Sequence, residues 1–128
     1  MKRDIENRED IDLLMRRFYA VAMADDLIGH IFTDVAKLDL EGHLPVIGDF
    51  WESLLFGTPV YARHGRSPMV VHGELYAKYP LTPEHFERWF EIFTRTIDDE
   101  FSGERTEFLK MRSRTISGRL QEFLNRAV

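Results

Sequence analysis

The side chains of this sequence that could take part in chemistry lie within apolar helical stripes. They form no familiar catalytic motif. Tyr19 follows Phe18 in one stripe, and Trp89 lies between Phe86 and Phe90 in another. A buried phenol or indole N–H needs a hydrogen-bond acceptor or donor within reach. The core itself could supply backbone carbonyls, or a molecule bound in the core could accept these hydrogens. Periodicity alone favours the first explanation.

The five histidines are the other candidates for chemistry. No two of them have the four-residue spacing of a helical zinc pair, and neither HExxH nor the di-iron motif Glu-x-x-His occurs. The chain has no cysteine, which excludes disulfides, thiolate catalysis and cysteine-ligated zinc. His72 differs from the others because it follows the apolar run Met69–Val71, so we expect it to face an apolar interior. Spacing alone favours a structural role for it over metal ligation.

Length and charge predict one globular domain over residues 1–128. A net charge of −5 argues against nucleic-acid binding, which requires a basic surface. The first twelve residues are charged and unlike a signal peptide, and no apolar run is long enough to span a membrane. We therefore expect a cytoplasmic protein with neither nucleic-acid nor membrane partners.

The hydrophobic periodicity predicts an all-α fold with four long helices. The first covers Arg8–Met23 with Ile11, Leu14, Phe18 and Val21 as its apolar stripe. The expected starts of the other three are Pro45, Pro83 behind a Thr82 cap, and Ser102. Asp25 or Asp26 is expected to cap a short helix that ends at Phe32, and Gly57–Pro68 is expected to be a loop.

Six stretches form a specific pattern through their order and spacing: Leu14–Tyr19, Ile31–Phe32, His43, Ile47–Trp51, Pro68–His72 and His85–Phe93. They resemble the group III truncated haemoglobins, and the resemblance runs from about Ile11 to Leu124. The paired-glycine motifs of groups I and II are absent, as is typical of group III. The resemblance implies a two-over-two helical sandwich around haem b (iron protoporphyrin IX), with 68–76 as a shortened proximal helix.

The resemblance also implies roles for individual residues. His72 resembles the proximal histidine that ligates the haem iron, and Tyr19 and Trp89 resemble the distal pair that faces a diatomic ligand. His43 resembles a distal residue at the pocket mouth, where Pro45 would place it at a helix edge as a gate. Further haem contacts are expected from Phe32, from Ile47, Phe50 and Leu54 on the second helix, and from Tyr61, Arg63 and Arg66 toward the propionates.

A polar distal pocket implies tight binding of oxygen, nitric oxide or carbon monoxide. Slow release suits redox chemistry on oxygen, nitric oxide or peroxide better than oxygen transport. The chain has no flavin or nicotinamide domain, so turnover would require a separate reductase, and the sequence leaves enzyme status open. We expect a monomer or a weak homodimer. The alternative hypothesis is a cofactor-free helical interaction module whose aromatic stripes only pack.

Overall fold

The computed structural model describes residues 2–64 and 79–126. His72, Arg66 and the stretch 68–76 lie outside these residues, so the expectations for them stay predictions. Four long helices are present in the described part, which contains no strand. They are α1 (Arg8–Ala22), α2 (Leu40–Phe56), α3 (Pro83–Glu100) and α4 (Glu104–Arg126), with a π-helical turn at Ile31–Val35 and a 3-10 turn at Val60–His64.

The first helix begins at Arg8, as predicted. The side chain of Asn7 accepts a hydrogen bond from the amide of Asp10, which satisfies one of the free N–H groups of the first turn. The predicted stripe is buried except for its last member, since Val21 is 53% exposed. Ala22 is fully buried instead, so the stripe turns by one position at the end of α1.

The second helix begins one turn earlier than predicted. Asp39 is its N-cap residue, and the amide of His43 donates to the Asp39 carbonyl at 2.9 Å. Pro45 therefore lies in the second turn, where its missing N–H costs α2 one backbone hydrogen bond to Glu41. The loss occurs near the exposed start of the helix, where water can solvate the Glu41 carbonyl.

The helical part of the connection between α1 and α2 lies closer to α2 than predicted. The Asp25 carboxylate accepts hydrogen bonds from the amides of Leu27 and Ile28 at 3.0 and 3.1 Å, which confirms the predicted cap. The helical chain continues past Phe32 as the π-helical turn, which ends at Val35. Short π-helical turns often occur at functional sites because they re-aim side chains.

The start of α4 is capped by a residue from the other end of the chain. Asp4 accepts hydrogen bonds from the amides of Arg105 and Thr106, both at 2.9 Å, and from the Thr106 hydroxyl at 2.7 Å. Burial opposes the charge on Asp4, but these hydrogen bonds outweigh it and lower the pKa of the carboxyl. Gly103 has φ 149° and lies so close that any side chain there would contact Asp4. This remote cap explains why α4 starts at Glu104 and not at Ser102.

The helices form two pairs, α1 with α2 and α3 with α4, and α1 also packs on α3. Phe93 lies at the centre of the core, with Trp51 stacked on it at 5.3 Å and Phe18 edge-on at 5.2 Å. Trp89 stacks on Phe93 at 4.9 Å. The apolar side chains of α4 differ in burial: Leu109 and Leu120 are buried, while Phe108, Met111 and Phe123 are exposed.

Candidate functional site

Tyr19 and His43 meet where α1 crosses α2. The Tyr19 side chain is 6% exposed, and its hydroxyl lies 2.9 Å from Nε2 of His43. Burial raises the pKa of Tyr19, so the hydroxyl keeps its proton through the neutral range. The hydrogen-bond partner is thus a side chain, whereas the sequence had suggested backbone carbonyls or a bound molecule.

The early start of α2 corrects the expectation for His43. The residue lies inside the first turns of the helix, half-buried, and its ring packs edge-on against Tyr19 at 5.6 Å. It is therefore not at a free helix edge. The tautomer of His43 controls the Tyr19 hydrogen: Nε2–H would donate to the phenol oxygen and leave the phenol hydrogen for a third group. With the hydrogen on Nδ1, Tyr19 instead donates to His43.

Two more of the predicted residues join this pair. Phe32, presented by the π-helical turn, packs edge-on against Tyr19 at 5.8 Å. Trp89 is linked through Phe18, which contacts Tyr19 at 5.0 Å and Trp89 at 5.9 Å. Within the described ranges the indole N–H of Trp89 makes no hydrogen bond, and the side chain is half-buried. The structure therefore brings a buried hydroxyl and an indole donor into one aromatic cluster.

An apolar face on α2 adjoins the cluster. Ile47, Phe50 and Leu54 recur at three and four residues and share one side of the helix. Each packs against the core yet stays half-buried, while their neighbour Trp51 is only 3% exposed. A flat apolar cofactor would cover such half-buried side chains. The apolar face and the two donors beside it together fit a haem.

The predicted propionate-binding residues lie in or beyond the 3-10 turn. Tyr61 packs edge-on against Phe50 at 5.1 Å and near the ring of His64 at 5.7 Å. The side chain of Arg63 and all of Arg66 lie outside what the structure describes. Of these three residues, Tyr61 is the one whose side chain the structure describes, and it lies next to the apolar face of α2.

Sequence reasoning missed a polar cluster on α2. Arg8 donates to Asp49 at 2.6 Å and to Glu52 at 3.1 Å, and His64 lies 2.7 Å from the other oxygen of Asp49. Burial opposes the charge on Arg8, but its hydrogen bonds to three carboxylates raise the pKa of the guanidinium. Gly48 permits the contact, because a Cβ there would lie 2.5 Å from the Arg8 guanidinium. Asp49 lies inside the apolar run Ile47–Trp51, and this position could have indicated that it needs a charged partner.

His85 also has a partner that the sequence did not suggest. Its Nδ1 accepts a hydrogen bond from the Thr82 amide at 3.0 Å, while its own amide donates to the Thr82 hydroxyl. It thus completes the predicted cap of α3. In the described part of the chain, no three histidine or carboxylate side chains cluster closely enough to hold a metal ion.

The chain is similar in sequence and in fold to known proteins. It is 28% identical to a curated protein called group 3 truncated hemoglobin ctb, from Campylobacter jejuni, over 97% of this chain and 95% of that one. It superposes on the crystal structure of the group III truncated hemoglobin from the same organism with a TM-score of 0.82, at the same identity and coverage. The resemblance to the group III truncated haemoglobins is confirmed. No family model matches the chain.

The fold is therefore that of a truncated globin, as predicted. Haem is the cofactor that this globin family implies, and the residues around Tyr19 and the apolar face of α2 suit it. None of the helices in the described ranges is long and apolar enough to cross a membrane. The roles of the individual site residues remain predictions.

Proposed function

We propose that this truncated globin binds haem b and uses it to hold small diatomic ligands for redox chemistry. When bound, haem supplies an iron centre that takes oxygen, nitric oxide or carbon monoxide and exchanges electrons. The observation that carries the proposal is the buried Tyr19 hydroxyl, held by His43 beside the half-buried apolar face of α2. A helical module that only packed would have little use for a polar pair at that position.

Each residue of the site would have a distinct task. His72 would ligate the iron through a neutral imidazole. Tyr19 would donate its hydrogen to a ligand that carries negative charge, and Trp89 would offer a second, weaker donor. His43 would set the direction of the Tyr19 hydrogen through its own tautomer. Phe32 and the α2 side chains Ile47, Phe50 and Leu54 would exclude water, which strengthens both donors.

The haem propionates and the supply of electrons both require further groups. Tyr61, Arg63 and Arg66 would hold the propionates through hydroxyl and guanidinium groups. Turnover on oxygen, nitric oxide or peroxide consumes electrons, which a separate reductase would have to supply. We infer a redox role in preference to oxygen transport, because two donors beside one ligand slow its release.

The absorption spectrum of the purified protein tests the proposal. A red protein with a Soret band, or a colourless one that gains the band when hemin is added, supports haem binding. His72→Gly should then lose haem, while His85→Gln, a control at another histidine that can keep the cap of α3, should retain it. A colourless protein that takes up no hemin would support the interaction module instead.

A further inference from the structure

Three ring side chains from separate parts of the chain meet at the start of α3. The hydroxyl of Tyr79 lies 3.2 Å from Nε2 of His30, and the Tyr79 ring lies 5.8 Å from the ring of His85. His30 directly precedes the π-helical turn that presents Phe32. The junction therefore joins that turn to the first turn of α3.

The cap of α3 is unusual because a histidine completes it. Glutamate or glutamine commonly occupies this third helical position, and both accept a hydrogen bond at neutral pH. The imidazole of His85 accepts the Thr82 amide through Nδ1 only while it is neutral, because a protonated ring has two N–H donors and no acceptor. Protonation of His85 must therefore break this half of the cap.

The surroundings of His85 disfavour the protonated ring. Burial lowers the pKa of His85, the charge of His30 lowers it further, and Glu84 partly opposes both. Tyr79 is an uncharged neighbour, and the Asp25–Arg88 ion pair on the next turn, at 2.8 Å, is neutral as a unit. The positive end of the α3 dipole acts in the same direction as His30.

His85 also lies on the same face of α3 as Trp89, which belongs to the aromatic cluster around Tyr19. Trp89 follows it by four residues, which places the two side chains one above the other on the same helical face. Trp89 is in turn stacked on Phe93, with an angle of 18° between the rings. One helical turn therefore separates His85, in the cap, from Trp89.

We propose that His85 is a pH-dependent positioning residue for Trp89, an inference that rests on the haem-site role proposed above for Trp89. In neutral solution the capped turn holds the indole in place, and acidification removes the acceptor and frays the turn. Because the pKa of folded His85 is lowered, the cap contributes fully above the ordinary value of about 6.5. Its contribution is lost as the pH falls below that value.

Heteronuclear NMR on the purified full-length protein, titrated from about pH 8 to about pH 5, tests this inference. The chain has two tryptophans, so the buried Trp51 indole is an internal control for that of Trp89. We expect the Trp89 indole signal to shift on acidification and the protection factor of the Thr82 amide to fall about fivefold, the equivalent of ~1 kcal/mol. The Trp51 signal should stay in place.

Glutamine is the matched variant because it can cap without titrating. His85→Gln should keep the neutral-pH signals over the whole range, and His85→Ala should show the acid-like signals throughout. His30→Gln should keep the transition and move it to higher pH, since a repelling charge is removed. The inference would be overturned if His85→Gln showed the same pH transition as the wild type. It would also be overturned if the Trp89 signal stayed unchanged while the Thr82 amide lost its protection. These readings do not need haem, so a failure of the proposed function would be seen separately.

Discussion

Replacing Tyr19 with phenylalanine removes one hydroxyl and keeps the ring that packs on Phe18 and Phe32. If Tyr19 donates to a ligand with negative charge, the lost hydrogen bond corresponds to roughly 1.5–3 kcal/mol. At about 1.4 kcal/mol per tenfold, oxygen should dissociate roughly ten- to a hundredfold faster from Tyr19→Phe. Trp89→Phe should give a smaller increase, because its indole is only half-buried.

The contact between Tyr19 and His43 predicts the effect of a second variant. A neutral hydrogen bond that orients Tyr19 contributes about 1 kcal/mol, so His43→Ala should speed oxygen dissociation about fivefold. In the Tyr19→Phe background the same His43 change should have almost no further effect, because the hydroxyl that it orients is absent. Two groups that act through one hydrogen bond are non-additive in this way.

Stopped-flow replacement of oxygen and of carbon monoxide on the four proteins of this cycle is the assay. Carbon monoxide carries little charge in the pocket, so its release should change far less and serves as the control for pocket shape. Equal acceleration of the two ligands would refute the hydrogen-bond account. So would a His43 effect that persists undiminished without the Tyr19 hydroxyl.

Three further outcomes are expected. His72→Gly should lose haem and partly regain its spectrum with added imidazole, whereas an unchanged spectrum would reject the ligand assignment. Gly48→Ala should lower the free energy of unfolding in urea by about 1–3 kcal/mol by displacing Arg8, while Gly118→Ala, at an open helical position, should raise it by up to ~1 kcal/mol. Asp4→Ala should cost about 1–2 kcal/mol at neutral pH, and less in acid, since a carboxyl with a lowered pKa loses its contribution as the pH falls below about 3.9.

The features that the sequence predicted well are local ones. Thr82, Pro83 and Glu84 satisfy the first turn of a helix with their own side chains and backbone angles, so the start of α3 was readable. Pro45 gave the wrong start because proline is most common in a first turn. Here α2 begins earlier, with Asp39 at its N-cap position, and it tolerates the lost hydrogen bond at Pro45. One turn of error was enough to misplace His43.

The polar contacts between helices could not be read from spacing. Arg8 and Asp49 are 41 residues apart, and only the crossing of α1 on α2 at Gly48 brings them together. The Tyr19–His43 bond likewise depends on where α2 begins. The family resemblance placed both residues near one pocket, but the direct bond between them is a property of this packing.

The cap on α4 has a consequence for the order of folding. Asp4 is synthesised early and Arg105 late, and the hydrogen bond between them spans 101 residues. Closing so large a loop carries an entropic cost that is recovered only after the intervening helices have packed. The first turn of α4 should therefore form after the main barrier, so that loss of Asp4 accelerates unfolding and leaves the folding rate nearly unchanged. During synthesis, the Asp4 carboxylate would lack its Arg105 and Thr106 partners until α4 has emerged and packed.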